Sequence, residues 1–416
     1  MGAFQDALIL FSFLLEVAVL FYLEKKAWHS IYTPLNFLML PFTAVLLITV
    51  CIAGSDLGFV RFYYPCLLLW SVGLVLFAIP SYVLAFVLQK NGRRQELHVP
   101  EASTTAFFPL LAAGVALLFL LRLKQTLGSS AEVIGSDEFG EDFCGSGIWA
   151  HLRQLATLLL MFCIYFVNRR RWWMWPLILV FVAVLFIYQV KGWLLIAVFA
   201  GLSARLLTGK TKLRASFFIY IILFGAIVFW GSYVMSLVVA GSAELSGHIV
   251  GFISNHFFHY FTSGLLGLSE DMKRGFPDVS TFDYAVAQFV NIGKAITGEG
   301  DMLSPLNPYY YNTGYSITNV RTFFGTLFIF SNPLQFASYT LFLSSFMYLL
   351  RVAIVKWNNV FAVMIYLYYC MLLCMGWFDF YFNLLPVLEI PVIILLLMLA
   401  ERMIEKVPAR RKTVTA

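Results

Sequence analysis

The sequence predicts an all-α fold, a polytopic membrane protein whose helices cross a bilayer about eleven times. Three observations predict it. Hydrophobic residues make up 61% of the 416 residues and charged ones only 12%, against about 25% charged in a soluble chain. The apolar residues also come in blocks of roughly 17–25, the length that spans about 30 Å of hydrocarbon. Finally, these blocks are apolar all round, whereas soluble helices show a narrow stripe.

The first block runs over 4–23. Met1 to Asp6 carries no basic stretch and no small-residue cleavage site follows, so the block reads as a retained helix and not as a signal peptide. Glu16 lies well inside it, where a carboxylate is costly and either functional or paired with a neighbouring helix. Further blocks occupy 35–53, 63–88, 106–121, 149–167, 174–190, 192–208, 215–238, 333–351, 359–376 and 384–401. The chain reads as one integral-membrane domain over 1–416.

Orientation follows from where Lys and Arg fall. With the N-terminus outside, the inner connectors and the C-terminal tail collect 19 of the 28 Lys and Arg, but only Glu24, Glu96, Glu101, Glu401 and Glu405 of the 22 acids. The two biases agree and predict a periplasmic N-terminus and a cytoplasmic C-terminus in a bacterial inner membrane. Two outer segments are long, 122–148 and 239–332. Long loops are commonly functional, so chemistry is expected outside, where no ATP is available. No nucleotide-binding motif occurs in any case. An enzyme acting there needs a substrate that carries its own activation, such as a lipid-linked pyrophosphate. The net charge of +6 comes from the inner connectors and implies no nucleic-acid partner.

Within the large loop, 252–271 reads as an amphipathic helix. His256, His259, Tyr260, Ser263, Gly267 and Asp271 recur at spacings of three and four, and Phe257, Phe258, Phe261, Leu265 and Leu268 fill much of the other side. Such a helix lies at a bilayer surface, with its polar face either simply solvated or lining a substrate cavity. Glu270, Asp271, Lys273 and Arg274 follow as a charged turn. Two His without a third ligand make no metal site, and Cys370 with Cys374, four apart on an apolar helix and without a nearby His, makes none either. Tyr309, Tyr310, Tyr311 and Tyr315, set among Pro305, Pro308 and Gly314, form a rigid aromatic loop. It suits either sugar rings or anchoring at the interface. Thr318 or Asn319 can cap a helix that begins there, and Arg321 in its first turn would complete an anion site. Pro333 separates this segment from the next span, which makes 320–331 a re-entrant candidate. Arg153, one turn into the fifth span, and Lys191-Gly192, in a tight turn between two spans, place two more cations at the outer boundary. Both can equally snorkel to lipid headgroups.

With these residues the chain resembles the Wzy-type oligosaccharide repeat-unit polymerases of bacterial surface polysaccharides, the O-antigen and capsule polymerases. The resemblance rests on many spans with one dominant late outer loop and on three short elements. These are the basic-Gly turn Lys191-Gly192, where the family more often has Arg-Gly, the run Tyr260-Phe261-Thr262-Ser263-Gly264, and Thr318 to Phe323. Asn332-Pro333 departs from a Gly-containing stretch that is more usual. The resemblance implies a cofactor-free and metal-free glycosyltransferase. Its donor and acceptor are glycans on undecaprenyl pyrophosphate, and a chain-length regulator is a further partner. For that reaction Arg321, with Arg153 and Lys191, is a catalytic candidate for stabilising the leaving pyrophosphate, and His256, His259 and Glu270, by their place in the large loop, are the candidate bases. Arg153, Lys191, Lys273, Arg274, Tyr260, Tyr310, Tyr315 and Asn319 are the substrate-binding candidates. Two rival readings are an O-antigen ligase and a flippase of the lipid-linked oligosaccharide. The absence of an internal repeat argues against the flippase.

Overall fold

In a bilayer each backbone N–H and C=O must be satisfied within its own segment, which leaves helices for the apolar blocks. A computed structural model describes residues 2–90, 107–130, 132, 134, 136–212, 223–234, 247–277, 281–357 and 359–406. The connector with Arg93, Arg94, Glu96 and Glu101, the loop start at 239–246, and the tail with Arg410, Arg411 and Lys412 lie outside the described residues.

Every predicted span contains a helix. They are α1 (Ala3–Trp28), α2 (Pro34–Ile52), α3 (Cys66–Lys90), α4 (Phe107–Ser129), α6 (Gly147–Phe166), α7 (Met174–Ile187), α8 (Lys191–Leu207), α9 (Leu223–Val234), α13 (Pro333–Trp357), α14 (Val360–Cys374) and α15 (Pro386–Lys406). Among the described residues seven stretches are long and apolar enough to cross a membrane: α1 to α4, α6, α13 and Val360–Trp377. The chain is thus a multi-pass membrane protein. The remaining four are shorter or more charged. α7 has 14 residues and α8 has 17, and α15 carries Glu389, Glu401 and Arg402. Among the described residues four α-helices lie outside the spans: α5 (Asp137–Cys144), α10 (Gly247–Arg274), α11 (Ala287–Thr297) and α12 (Phe323–Ile329). Among the described residues the paired strands are Tyr311–Asn312 and Ile317–Thr318, antiparallel with Tyr311 opposite Thr318.

The chain divides into two compact units. The first holds 1–98, 243–358 and 366–387, and the second 99–242, 359–365 and 388–416. In the first, α3 packs against α1 and α13. At one end of these helices Glu24 accepts hydrogen bonds from Ser81 and, at 2.8 Å, from Tyr348. Trp28 Nε1 donates to Ser81 at 2.8 Å, and Arg351 lies over the Trp28 ring at 4.8 Å. At the other end the connector 54–65 meets the late loop: Tyr63 N donates to Ser269 Oγ at 2.7 Å and Val60 N to Thr313 O at 2.9 Å. Threading the helices alternately, as the charge bias predicts, puts all contributors to each cluster at the same end.

In the second unit α6 packs on α7 and α8. The approach of α6 to α8 is close, since a Cβ on Gly201 would stand 2.7 Å from Met161 O. Arg205 Nη1 donates to the carbonyls of Ile164, Tyr165 and Val167 at 3.1, 3.1 and 2.7 Å, satisfying the open end of α6.

Candidate functional site

α10 is the amphipathic helix that the periodicity predicts, but it does not lie flat on a surface. From Thr262 to Asp271 every residue is buried. The spacing of its glycines accounts for this. Gly264 and Gly267 stand one turn apart, and a Cβ on either would meet a carbonyl at 2.5 Å, that of Phe378 or of Val320 respectively. Two other chain segments therefore lie directly on the helix backbone. The aromatic residues that looked like membrane anchors seal the same contact, with Tyr260 stacked on Phe378 at 6.0 Å and Phe261 on Trp377 at 5.1 Å.

Asp271 and Arg321 meet beneath this contact. Both side chains are fully enclosed, and Arg321 Nε donates to Asp271 Oδ2 at 2.5 Å. Its Nη1 donates to Val320 O at 3.0 Å, its Nη2 to Tyr309 O at 3.1 Å, and the guanidinium lies 4.7 Å over the Tyr311 ring. Burial pushes the Asp271 carboxyl up from the usual range, and the Arg321 charge pulls it back. Arg321 is a tie between α10 and the tyrosine loop, and its donors point at protein.

The helix expected to open at Thr318 or Asn319 begins later. Thr318 is in a strand and Asn319 Nδ2 donates to Asn307 O at 3.1 Å. Thr322 caps α12 instead, with a φ of 68°. This left-handed conformation is costly for a β-branched residue. It is held from three sides: Thr322 Oγ1 accepts from Trp70 Nε1 at 3.0 Å and from Gly325 N at 3.4 Å, and Thr322 N donates to Phe378 O at 3.1 Å. α12 itself has seven residues, and all but Phe328 are buried.

Two residues that sequence reasoning passed over complete the cluster, Thr322 and Asp379. Burial raises the Asp379 carboxyl to about 6, with hydrogen bonds from Thr326 and from Phe380 N working against the rise. An acid alone among aromatics, in Trp377-Phe378-Asp379-Phe380-Tyr381-Phe382, was the available signal.

Further up α10, His259 is buried and contacts Thr313 Oγ1 through Nδ1 at 3.3 Å. The Thr313 hydroxyl also donates to Ser316 O at 2.8 Å, and the His259 ring hydrogen-bonds the Ile317 backbone. Burial, then the neighbouring His256, lowers its pKa to about 4. The half-buried His256 ring lies 5.6 Å from His259, 5.5 Å from Tyr260 and 6.2 Å from Tyr315, whose hydroxyl donates to Phe252 O at 3.3 Å.

At the end of α10, buried Glu270 accepts from Arg274 Nε at 2.9 Å and Nη2 at 2.8 Å, with Lys273 Nζ 3.7 Å away. Lys273 and Arg274 are each 56% exposed, so this helix end presents two cations to its surroundings. Arg274 also lies 5.5 Å from the Tyr311 ring, which places the cations beside the tyrosine loop, where Tyr310 is exposed.

The other two predicted cations belong to the second unit. Arg153 is buried, donates to Cys144 O at 3.0 Å and lies 3.6 Å over the Tyr188 ring, while its Nε has no partner. Lys191 opens α8 after the predicted tight turn, in which Gln189 takes a φ of 65°, and its Nζ lies 5.1 Å over Tyr233. The structure therefore groups His256, His259, Tyr260, Glu270, Lys273, Arg274, Tyr310, Tyr315, Asn319 and Arg321 in the first unit, with Arg153 and Lys191 in the second. Among the described residues no group of three or more His, Cys, Asp or Glu is placed to hold a metal ion.

No curated protein and no solved structure matches the chain. One family model does, over residues 58–407, and its description is "Family of unknown function (DUF6337)".

Proposed function

The chain belongs to the DUF6337 family, and on its own residues we propose that it is a membrane glycosyltransferase that polymerises polyprenyl-pyrophosphate-linked oligosaccharide units. The observation that carries this reading is the face at the end of α10. There the exposed Lys273 and Arg274, oriented by buried Glu270, stand beside the tyrosines of 309–311. A pyrophosphate leaving group needs cations and a glycan needs aromatic faces with hydroxyls. A multi-pass membrane protein that presents both together suits a lipid-linked sugar.

The growing glycan on its polyprenyl pyrophosphate is the donor and a single lipid-linked unit is the acceptor. An acceptor hydroxyl oxygen attacks the donor's anomeric carbon. The bond from that carbon to the pyrophosphate oxygen breaks, and the bonding electrons leave with the polyprenyl pyrophosphate. Lys273 and Arg274 stabilise the charge that develops there. His256 takes the hydroxyl proton. His259, held by Thr313, orients the tyrosine loop, as does Asn319 through Asn307. Arg321 acts as a positioning residue, since its donors are directed at protein. Arg153 and Lys191 are assigned to headgroup pyrophosphate within the second unit. The reaction is placed at the periplasmic face of a bacterial inner membrane, with the N-terminus outside, and a chain-length regulator is a further partner.

The test is a gel of surface glycan from a strain lacking the protein, beside its parent. Collapse of the ladder to a single repeat supports a polymerase. A ladder retained on the carrier that never reaches its final acceptor points to a ligase, and an unchanged surface glycan overturns the reading. In a complemented strain the Lys273→Ala/Arg274→Ala variant is expected to lower polymer formation on the order of 10²–10³-fold.

A further inference from the structure

We propose that the turn joining α6 to α7 binds the phosphate of an anionic phospholipid. No Asp or Glu occurs between Asp142 and Glu244, a stretch that holds nine Lys and Arg. Three of them are consecutive, Arg169, Arg170 and Arg171, and they form a single 3₁₀ turn. Asn168 sets that turn, since its Oδ1 accepts from the backbone N–H of Arg170 and of Arg171, each at 3.0 Å. The side chains are not needed to close the neighbouring helix, because Arg205 already satisfies the carbonyls at the end of α6. Among the described residues none of the three forms an ion pair. Arg169 and Arg170 are exposed, and Arg171 lies 5.7 Å over the Phe166 ring.

The next residues name the ligand. Trp172, Trp173 and Trp175 are 68%, 39% and 56% exposed. Exposed Trp belongs at the boundary between headgroup and hydrocarbon. A free phosphate has no use for such a face, whereas a phospholipid places its phosphate beside the arginines and its acyl chains beside the tryptophans. Three guanidinium groups without a carboxylate select a headgroup of net negative charge over a zwitterionic one.

The test uses the full-length protein in nanodiscs of phosphatidylcholine and phosphatidylglycerol in equal amounts. Native mass spectrometry counts the lipids of each kind that stay bound. The wild type is expected to retain phosphatidylglycerol preferentially. Arg169→Gln/Arg170→Gln/Arg171→Gln should lose that preference at least about tenfold, and the triple Lys variant should keep most of it. Should the Gln triple aggregate on size exclusion, Arg169→Gln and Arg170→Gln singly carry the test, each with a severalfold fall. Undiminished preference in the Gln variants overturns the proposal. So does displacement of the lipid by millimolar inorganic phosphate, which would mark a site for free anions.

Discussion

Arg321 shows how a single residue can read as a ligand contact in sequence and act as a tie in the fold. A basic residue after Thr-Asn resembled an anion site, but Asp271 lies fifty positions away, and nothing local announces their meeting. Breaking an enclosed ion pair leaves one charge stranded. Arg321→Ala should therefore destabilise the protein by about 3–5 kcal/mol, and Arg321→Met combined with Asp271→Leu should recover most of that. Chemical denaturation in detergent measures both, and additive losses would mean that the pair is not coupled. His259 gives a prediction in pH. Its folded pKa of about 4 lies below its ordinary 6.5, so the unfolded chain binds the proton more tightly. The stability is fully present above 6.5 and is lost as pH falls toward 4. Melting temperatures should drop across that window in the wild type, while His259→Asn should have the flatter profile.

Among the elements, α10 was legible in part. Its helical period and polar face were written in the spacing of His256, His259, Tyr260, Ser263, Gly267 and Asp271. Its burial was not, because the same aromatics serve a lipid surface and a protein contact equally well. The separation of Gly264 from Gly267 is the local signal of that contact. Gly267→Ala should cost about 1–3 kcal/mol, since its Cβ would overlap Val320 O. Gly251, on the same helix, has no atom within 4 Å of its would-be Cβ, and Gly251→Ala should stabilise by up to about 1 kcal/mol. Equal effects at the two positions would refute the contact. The start of α12 is not legible locally for a similar reason. Thr318 and Asn319 are good caps by type, but cross-strand pairing with Tyr311 and the bond to Asn307 claim them first, and the cap moves to Thr322.

For the molecule as a whole, the hydrophobic blocks located a helix in every predicted span, since the cost of bare backbone in lipid leaves little choice. The division into two units was not legible, because blocks of the same composition serve both. The clusters at either end of the first unit's helices give a prediction at this scale. Cysteines placed at Gly58, in the connector 54–65, and at Gly298, which ends α11 in the late loop, should label together with a membrane-impermeant thiol reagent from one side of sealed vesicles. A cysteine at His29, near the opposite end, should label only from the other. The same sidedness for all three would contradict alternate threading.

Glu24 and Tyr348 are bonded partners separated by 324 positions. A ribosome adding about 5–20 residues per second makes the later one on the order of 15–60 s after the earlier. For that interval α1 has to wait in the bilayer with its carboxylate unmet by Tyr348, while α4 to α9 of the second unit are completed in one unbroken run. Biogenesis of the first unit is thus exposed to whatever else the membrane offers Glu24 in the meantime. Whatever meets Glu24 over that interval bears on this protein's yield more than on its finished stability.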